Sequence, residues 1–203
     1  MTAGASTMTD SVSPPPTVEQ YEEKEFGFWL YLMSDAAIFA LLFATYMVMV
    51  GNTAGGPTGK ELFSLERAAG ETALLLLSST AFGMAAVAMS AGERSRVVIW
   101  LLVTFALGAG FIFLEFGEFR GMILEGAGPE RSGFLSAFFT LVGTHGLHVS
   151  IGLPWIAVMI GQVLFKGLTA PVASRLMRLG LFWHFLDIIW VVIFSVVYLP
   201  GLL

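Results

Sequence analysis

Five long blocks of the chain are nearly free of charge, and that spacing constrains the fold more than any single motif. Phe26 to Val50 carries one formal charge, Asp35. Thr72 to Ser90, Val97 to Leu114 and Gly133 to Phe165 carry none, and Leu179 to Leu203 carries only Asp187. Each block reaches or exceeds the roughly 18 apolar residues that a helix needs to cross a ~30 Å hydrocarbon core. A helix satisfies its own backbone in lipid, whereas a barrel would show alternating segments of ~10 residues, a pattern missing from this sequence. The expectation is an all-α polytopic membrane protein, a bundle of five transmembrane helices. The fourth block, at 33 residues, makes a helix of about 50 Å. It is therefore expected to extend past the bilayer, to tilt, or to bend near Pro154.

Composition agrees, since 56% of the residues are hydrophobic and 12% charged, far too little charge to cover a soluble domain. With no basic cluster, nucleic-acid binding has no electrostatic basis. The absence of cysteine excludes disulfides, covalent c-type haem, iron–sulfur clusters and thiolate copper sites in this chain. Residues 1–25 are polar and rich in proline, without the basic start and short apolar core of a secretory signal. They read as a mobile N-terminal tail, leaving residues 26–203 as one membrane domain with short loops. Six Lys and Arg lie on the side of the tail and the even-numbered loops, against four on the other. That excess places the N-terminus inside and the C-terminus outside.

Eight ionisable residues lie in or near the spans: Asp35, Glu71, Glu115, Glu118, His145, His148, His184 and Asp187. A charge at the bilayer centre costs at least ~2.5–3.5 kcal/mol, so each needs a partner, water or a neutral form. Glu115/Glu118, His145/His148 and His184/Asp187 share an i, i+3 spacing, which puts both members on one helix face. Three helices thus present patches that lipid rejects, and turning them toward one another inside the bundle is the economical arrangement. Glu71 sits near the start of the second span, where a buried and an interfacial position are both open. Asp35 stands alone in "YLMSDAAIF" and needs a proton or a polar neighbour.

Several chemistries could explain these groups. Di-iron bundles use Glu-x-x-His, which this chain lacks. One bis-histidine haem b is conceivable. The simplest account is a hydrogen-bonded network that holds helices together. Small residues at Ala36, Ala40 and Ala44, and at Gly117 and Gly121, suit close helix contact. The five Trp and 18 Phe are expected mostly to face lipid or to anchor at the interface.

Four segments taken in order carry a resemblance: "GFWLYLMSDAAIFALLFATY", "FIFLEFGEF", "GTHGLHV" and "FWHFLDIIW". Together they resemble subunit III of the haem-copper oxidases over everything but the tail. Asp35 stands at the position of a membrane-embedded carboxylate of that family, and Glu118 at the glutamate of a Glu-aromatic pair. "GNTAGGPTGKELF" and "GPERSGFLSAFFTLVGTHGLHV" are similar to the branch found in cytochrome bo-type ubiquinol oxidases.

The resemblance implies an accessory subunit in a bacterial inner (plasma) membrane. Its partners would be oxidase subunits I, II and IV, in an enzyme that oxidises ubiquinol, reduces oxygen and pumps protons. It also implies that haem and copper sit in subunit I, that this chain has no cofactor of its own, and that its bundle holds phospholipid. Two haem irons and their copper would draw on about six histidines, and the chain has three. On that basis His145 and His148 are structural, and Asp35 is the residue to connect with oxygen access or sustained turnover. Subunit III of a cytochrome c oxidase is the alternative. A stand-alone proton-coupled carrier is a third, weakened by the lack of an inverted repeat.

Overall fold

The computed structural model describes residues 18–202, with side chains from Glu25 to Gly201. Among them the chain is helical throughout its ordered elements, without strands. In order these are α1 (Val18–Met49), α2 (Gly59–Leu62), α3 (Leu65–Ser90), α4 (Arg94–Leu124), α5 (Gly133–Lys166) and α6 (Ala170–Ile193). A π-helical turn (Phe194–Tyr198) and α7 (Leu199–Leu202) follow. Five stretches are long and apolar enough to cross a membrane: Glu25–Met49, Leu65–Ser90, Arg94–Leu124, Gly133–Lys166 and Ala170–Gly201.

The helices run further than the charge-free blocks. α1 begins at Val18, so residues 18–25 of the expected tail are helical, while residues 1–17 lie outside the described residues. α3 begins at Leu65, seven residues before Thr72, because Glu66 and Arg67 are exposed on its first turn. Charges at a helix end reach the interface at little cost. α5 continues unbroken through Pro154.

Local signals set the ends. The Ser132 hydroxyl accepts from Leu135 N at 3.2 Å and caps α5, satisfying one of the orphan donors of the first turn. α3 and α4 end in Schellman motifs. Glu93 N donates to Ala88 O at 3.0 Å around Gly92 (φ +73°), and Ala127 N to Met122 O at 2.9 Å around Gly126 (φ +77°). Both glycines occupy the left-handed region, which side chains rarely adopt. These tight stops return each helix antiparallel to the one before.

α3 and α4 form the most closely packed pair, with Ser78 Oγ donating to Thr104 O at 3.1 Å across it. α5 packs on α4, α6 closes against both α3 and α5, and α1 lies on the outside against α5 and α6. Trp183 of α6 is the common element. A Cβ at Gly108 of α4 would come within 2.9 Å of its ring, and one at Gly152 of α5 within 2.8 Å. Its Nε1 donates to Ser78 Oγ of α3 at 3.1 Å. Two turns on, Trp190 Nε1 donates to Thr72 Oγ1 of α3 at 3.0 Å, and its ring meets Phe111 edge-on.

Part of the aromatic set departs from expectation, while Phe26, Trp29, Phe113, Phe116 and Phe165 are exposed as expected. Trp183, Trp190, Phe39, Phe82, Phe111, Phe134 and Phe138 belong to the core, and Trp183 fits there because Gly108 and Gly152 leave room for its ring. The small-residue stripes depart too. Ala40 and Ala44 are exposed, and a Cβ at Gly117 or Gly121 would meet nothing within 4 Å. Close packing within the chain falls instead on Gly108, Gly152 and Gly180.

The π turn holds one residue more than an α turn, which shifts the face that follows by about one residue, roughly 100°. It brings Tyr198 onto the face of Trp190, with ring centroids 5.9 Å apart. Below it, α2 sits on α7 and inserts Phe63 against Tyr198 and Phe138.

Gly152→Ala therefore overpacks the Trp183 slot and is expected to cost about 1–3 kcal/mol. Gly161→Ala, which meets open space, should be neutral or mildly stabilising. Thermal unfolding in mild detergent, followed by helical circular dichroism, separates the two; equal melting temperatures would refute the slot.

Candidate functional site: the intramembrane polar groups

The eight ionisable residues do not gather into one patch. They divide into three groups and one isolated imidazole.

In the first group, His148 of α5 meets Asp35 of α1, with Nε2 3.6 Å from Asp35 Oδ2. His148 Nδ1 donates to Thr144 O one turn earlier at 2.7 Å; a carbonyl only accepts, so Nδ1 carries the hydrogen. Nε2 is then left facing the carboxyl at ion-pair range, too far for a hydrogen bond, and Asp35 Oδ2 has no hydrogen-bond partner. Phe39, one turn along α1 from Asp35, packs on the imidazole at 5.4 Å between centroids. Asp35 thus has a polar neighbour on α5, and the contact ties the outermost helix to the bundle.

The second group is a cluster of three acids on α3 and α4. Glu71 is 0% exposed, and Glu115 and Glu118 are 3% exposed. The structure thus resolves the position of Glu71: it is buried. Tyr198 donates its hydroxyl to Glu118 Oε2 at 3.0 Å, while both oxygens of Glu71 and of Glu115 have no hydrogen-bond partner. Glu115 feels the charge of the other two acids. Arg67, one turn before Glu71 and exposed to solvent, acts on Glu71 and Glu118.

The third group joins α6 to α3. His184 Nδ1 and Ser79 Oγ are hydrogen-bonded at 2.7 Å. Asp187, one turn along α6, interacts electrostatically with His184, and its Oδ1 is buried without a partner.

His145 belongs to none of these groups. It is 0% exposed, and both ring nitrogens lack a partner. Phe39, Phe111 and Trp190 surround it at centroid distances of 6.5, 5.8 and 5.2 Å. Although His145 and His148 lie three residues apart, they serve different neighbours: one fills an aromatic cage and the other reaches α1. The i, i+3 rule places two side chains on one face, yet that face is wide enough to meet two helices.

Among the described residues, no three His, Asp or Glu side chains come together as a metal-holding group. The arrangement can hold helices in register, through the bonds that join α6 and the π turn to α3 and α4 and the contact that joins α5 to α1. Sequence reasoning missed the hydroxyls that complete it: Thr72, Ser78 and Ser79 on α3, and Tyr198. The available signal was the seven-residue spacing of Trp183 and Trp190 on α6, set against the six-residue spacing of their acceptors Ser78 and Thr72 on α3. The two spacings are each close to two helical turns, so both pairs can meet across one interface.

Tyr198→Phe strips Glu118 of its donor and is expected to cost about 1–3 kcal/mol. Glu118→Gln keeps an acceptor for Tyr198 and should cost less. Melting temperatures of the two variants in detergent check the order, and a reversed order would count against the bond.

The chain matches the family described as "Cytochrome c oxidase subunit III" over residues 16–202. It is 56% identical over 178 residues to the "Cytochrome bo(3) ubiquinol oxidase subunit 3" of Pseudomonas aeruginosa, covering 88% of this chain and 85% of that one. It is 44% identical over 176 residues to the "Quinol oxidase subunit 3" of Bacillus subtilis, covering 87% and 86%. It is 42% identical over 181 residues to the "Cytochrome c oxidase subunit 3" of Bacillus sp. strain PS3, covering 89% and 87%.

Proposed function

This chain belongs to the cytochrome c oxidase subunit III family, and from that premise we propose that it is the accessory third subunit of a ubiquinol-oxidising haem-copper oxidase. The single observation that carries the reading is the 56% identity to a ubiquinol oxidase subunit 3 across nearly the whole chain. The cytochrome c oxidase alternative has its own support in the 42% relative, and the difference in identity favours quinol. The carrier that the intramembrane acids alone permit gives way to the family match.

In this reading the chain is part of an oxidoreductase and carries no redox centre. Haem and copper belong to subunit I, and ubiquinol delivers its electrons outside this chain. Subunits I, II and IV are its partners in a bacterial inner membrane. Its N-terminus is cytoplasmic and its C-terminus periplasmic, in line with the Lys and Arg excess. Its contribution is mechanical: five spanning helices pack against the catalytic subunit and hold phospholipid. The buried polar groups fix the bundle, with the His148–Asp35 contact fastening α1. Asp35 is the residue through which this subunit acts on sustained turnover.

A tagged chain drawn from membranes in mild detergent is expected to bring haem, one class of copper site and ubiquinol-dependent oxygen uptake with it. A dinuclear copper in a co-purifying subunit would move the assignment to a cytochrome c oxidase. A chain that emerges alone would overturn it. Asp35→Ala is expected to leave assembly intact while oxygen uptake decays faster over many turnovers; an undiminished time course would remove Asp35 from that role.

A further inference from the structure

One face of α6 stays open between α1 and α3. Met177, Leu181, His184, Ile188, Val191 and, in the π turn, Ser195 lie exposed or partly exposed along it. Their spacing of 4, 3, 4, 3 and 4 residues is that of a seam along which a second helix packs. Two hollows open on this stripe. The first, about 310 Å³, is lined by Met177, Leu181 and His184, with Trp29 of α1 and Ala86 of α3 on its banks. The second, about 360 Å³, is lined by Ser195 together with Tyr46 and Met47 of α1. Ile188 and Val191 stand exposed between the two.

Depth and length restrict what can cover such a face. His184 stands fourteen residues after Ala170 and seventeen before Gly201, the ends of this span. Those intervals are about 21 and 26 Å at ~1.5 Å per residue, so His184 lies near the middle of the hydrocarbon layer. Its Nδ1 and Ser79 Oγ are hydrogen-bonded at 2.7 Å. Among the described residues its Nε2 has no partner and, unlike both nitrogens of His145, is not sealed inside the chain. Polar side chains at this depth turn toward another helix or a watery cavity, and lipid rejects them. A phospholipid offers only acyl chains there, and these neither donate nor accept. Ser195 lies eighteen residues after Met177, so the stripe runs about 27 Å, much longer than a quinone ring. A helix with a polar side chain halfway along meets both conditions.

We propose that the open face of α6 receives a transmembrane helix of another oxidase subunit, which brings a hydroxyl or amide side chain to His184 Nε2. Such a side chain both donates and accepts, so it suits either tautomer of the imidazole. This rests on the accessory-subunit reading and adds to it which face of the chain docks and which residue sets the depth of the contact.

The test uses the whole complex, with a photo-crosslinking amino acid at Ile188, which is exposed on the stripe. Irradiation is expected to join this chain to one other oxidase subunit. His184→Gln keeps a group that donates and accepts and should retain the adduct, whereas His184→Leu should lower its yield several-fold. Ala86→Phe fills the first hollow from an exposed position on α3, leaves the His184–Ser79 bond in place, and should also lower the yield several-fold. That variant keeps the question answerable if His184→Leu fails to fold. An adduct with phospholipid, with quinone or within this chain alone, no adduct, or a yield undiminished by either His184→Leu or Ala86→Phe would each overturn the proposal. A preparation that contains no other oxidase subunit refutes the accessory-subunit reading itself. One that contains them, with Ile188 unlinked, refutes only the docking face.

Discussion

The bundle depends on one side chain more than on any other, the indole of Trp183. In lipid the hydrophobic effect gives helices little reason to associate, so contact density and hydrogen bonds must do it. Trp183 supplies both. Its ring fills the space that Gly108 and Gly152 leave on α4 and α5, and its N–H reaches the Ser78 hydroxyl of α3. Ser78 in turn donates to Thr104 O on α4. Four spans are thus joined around one residue, and Trp190 repeats the bond to α3 two turns further on through Thr72. A bond of this kind is worth on the order of 1 kcal/mol in a membrane protein; its greater effect is to fix rotation and depth, which apolar contact leaves free.

The polar groups divide between two tasks because they differ in what they lack. His148 and His184 each have a partner on another helix, Asp35 and Ser79 respectively, so they complete contacts within the chain. Glu71 and Glu115 keep both acceptors unmet, and Asp35 and Asp187 one each. Such groups are expensive to bury in lipid. His145 is a third case, an imidazole used as an aromatic ring among Phe39, Phe111 and Trp190.

The spans were legible in the sequence because charge is the costliest thing to place in lipid, and its absence marks a helix without ambiguity. Their ends were less so. Glu66 and Arg67 mark a boundary by composition, yet α3 starts before them, since side chains at a helix end can reach water while the backbone stays helical. The partners of the polar residues were legible only in part. Asp35 was expected to need a neighbour, but nothing in "YLMSDAAIF" says that it is His148, because i, i+3 spacing fixes a face and leaves the opposing helix unspecified. The role of the tryptophans was hidden for a related reason. Whether an indole is anchor or core depends on glycines more than 30 positions away in the chain, at Gly108 and Gly152. Family resemblance supplied the function, which no residue pattern alone could have separated from that of a carrier.

The π turn at Phe194–Tyr198 has a consequence for how this chain can vary through descent. An extra residue held inside a helix is an insertion that the backbone has absorbed, and it leaves everything downstream turned by one position. Tyr198 reaches Glu118 only in that turned phase. A relative lacking one residue in this segment would present a different position to the acid cluster. Position-by-position correspondence would then fail over the last helical turn even though the two helices superimposed, and the tyrosine's counterpart would stand one column away from where an ungapped comparison looks for it.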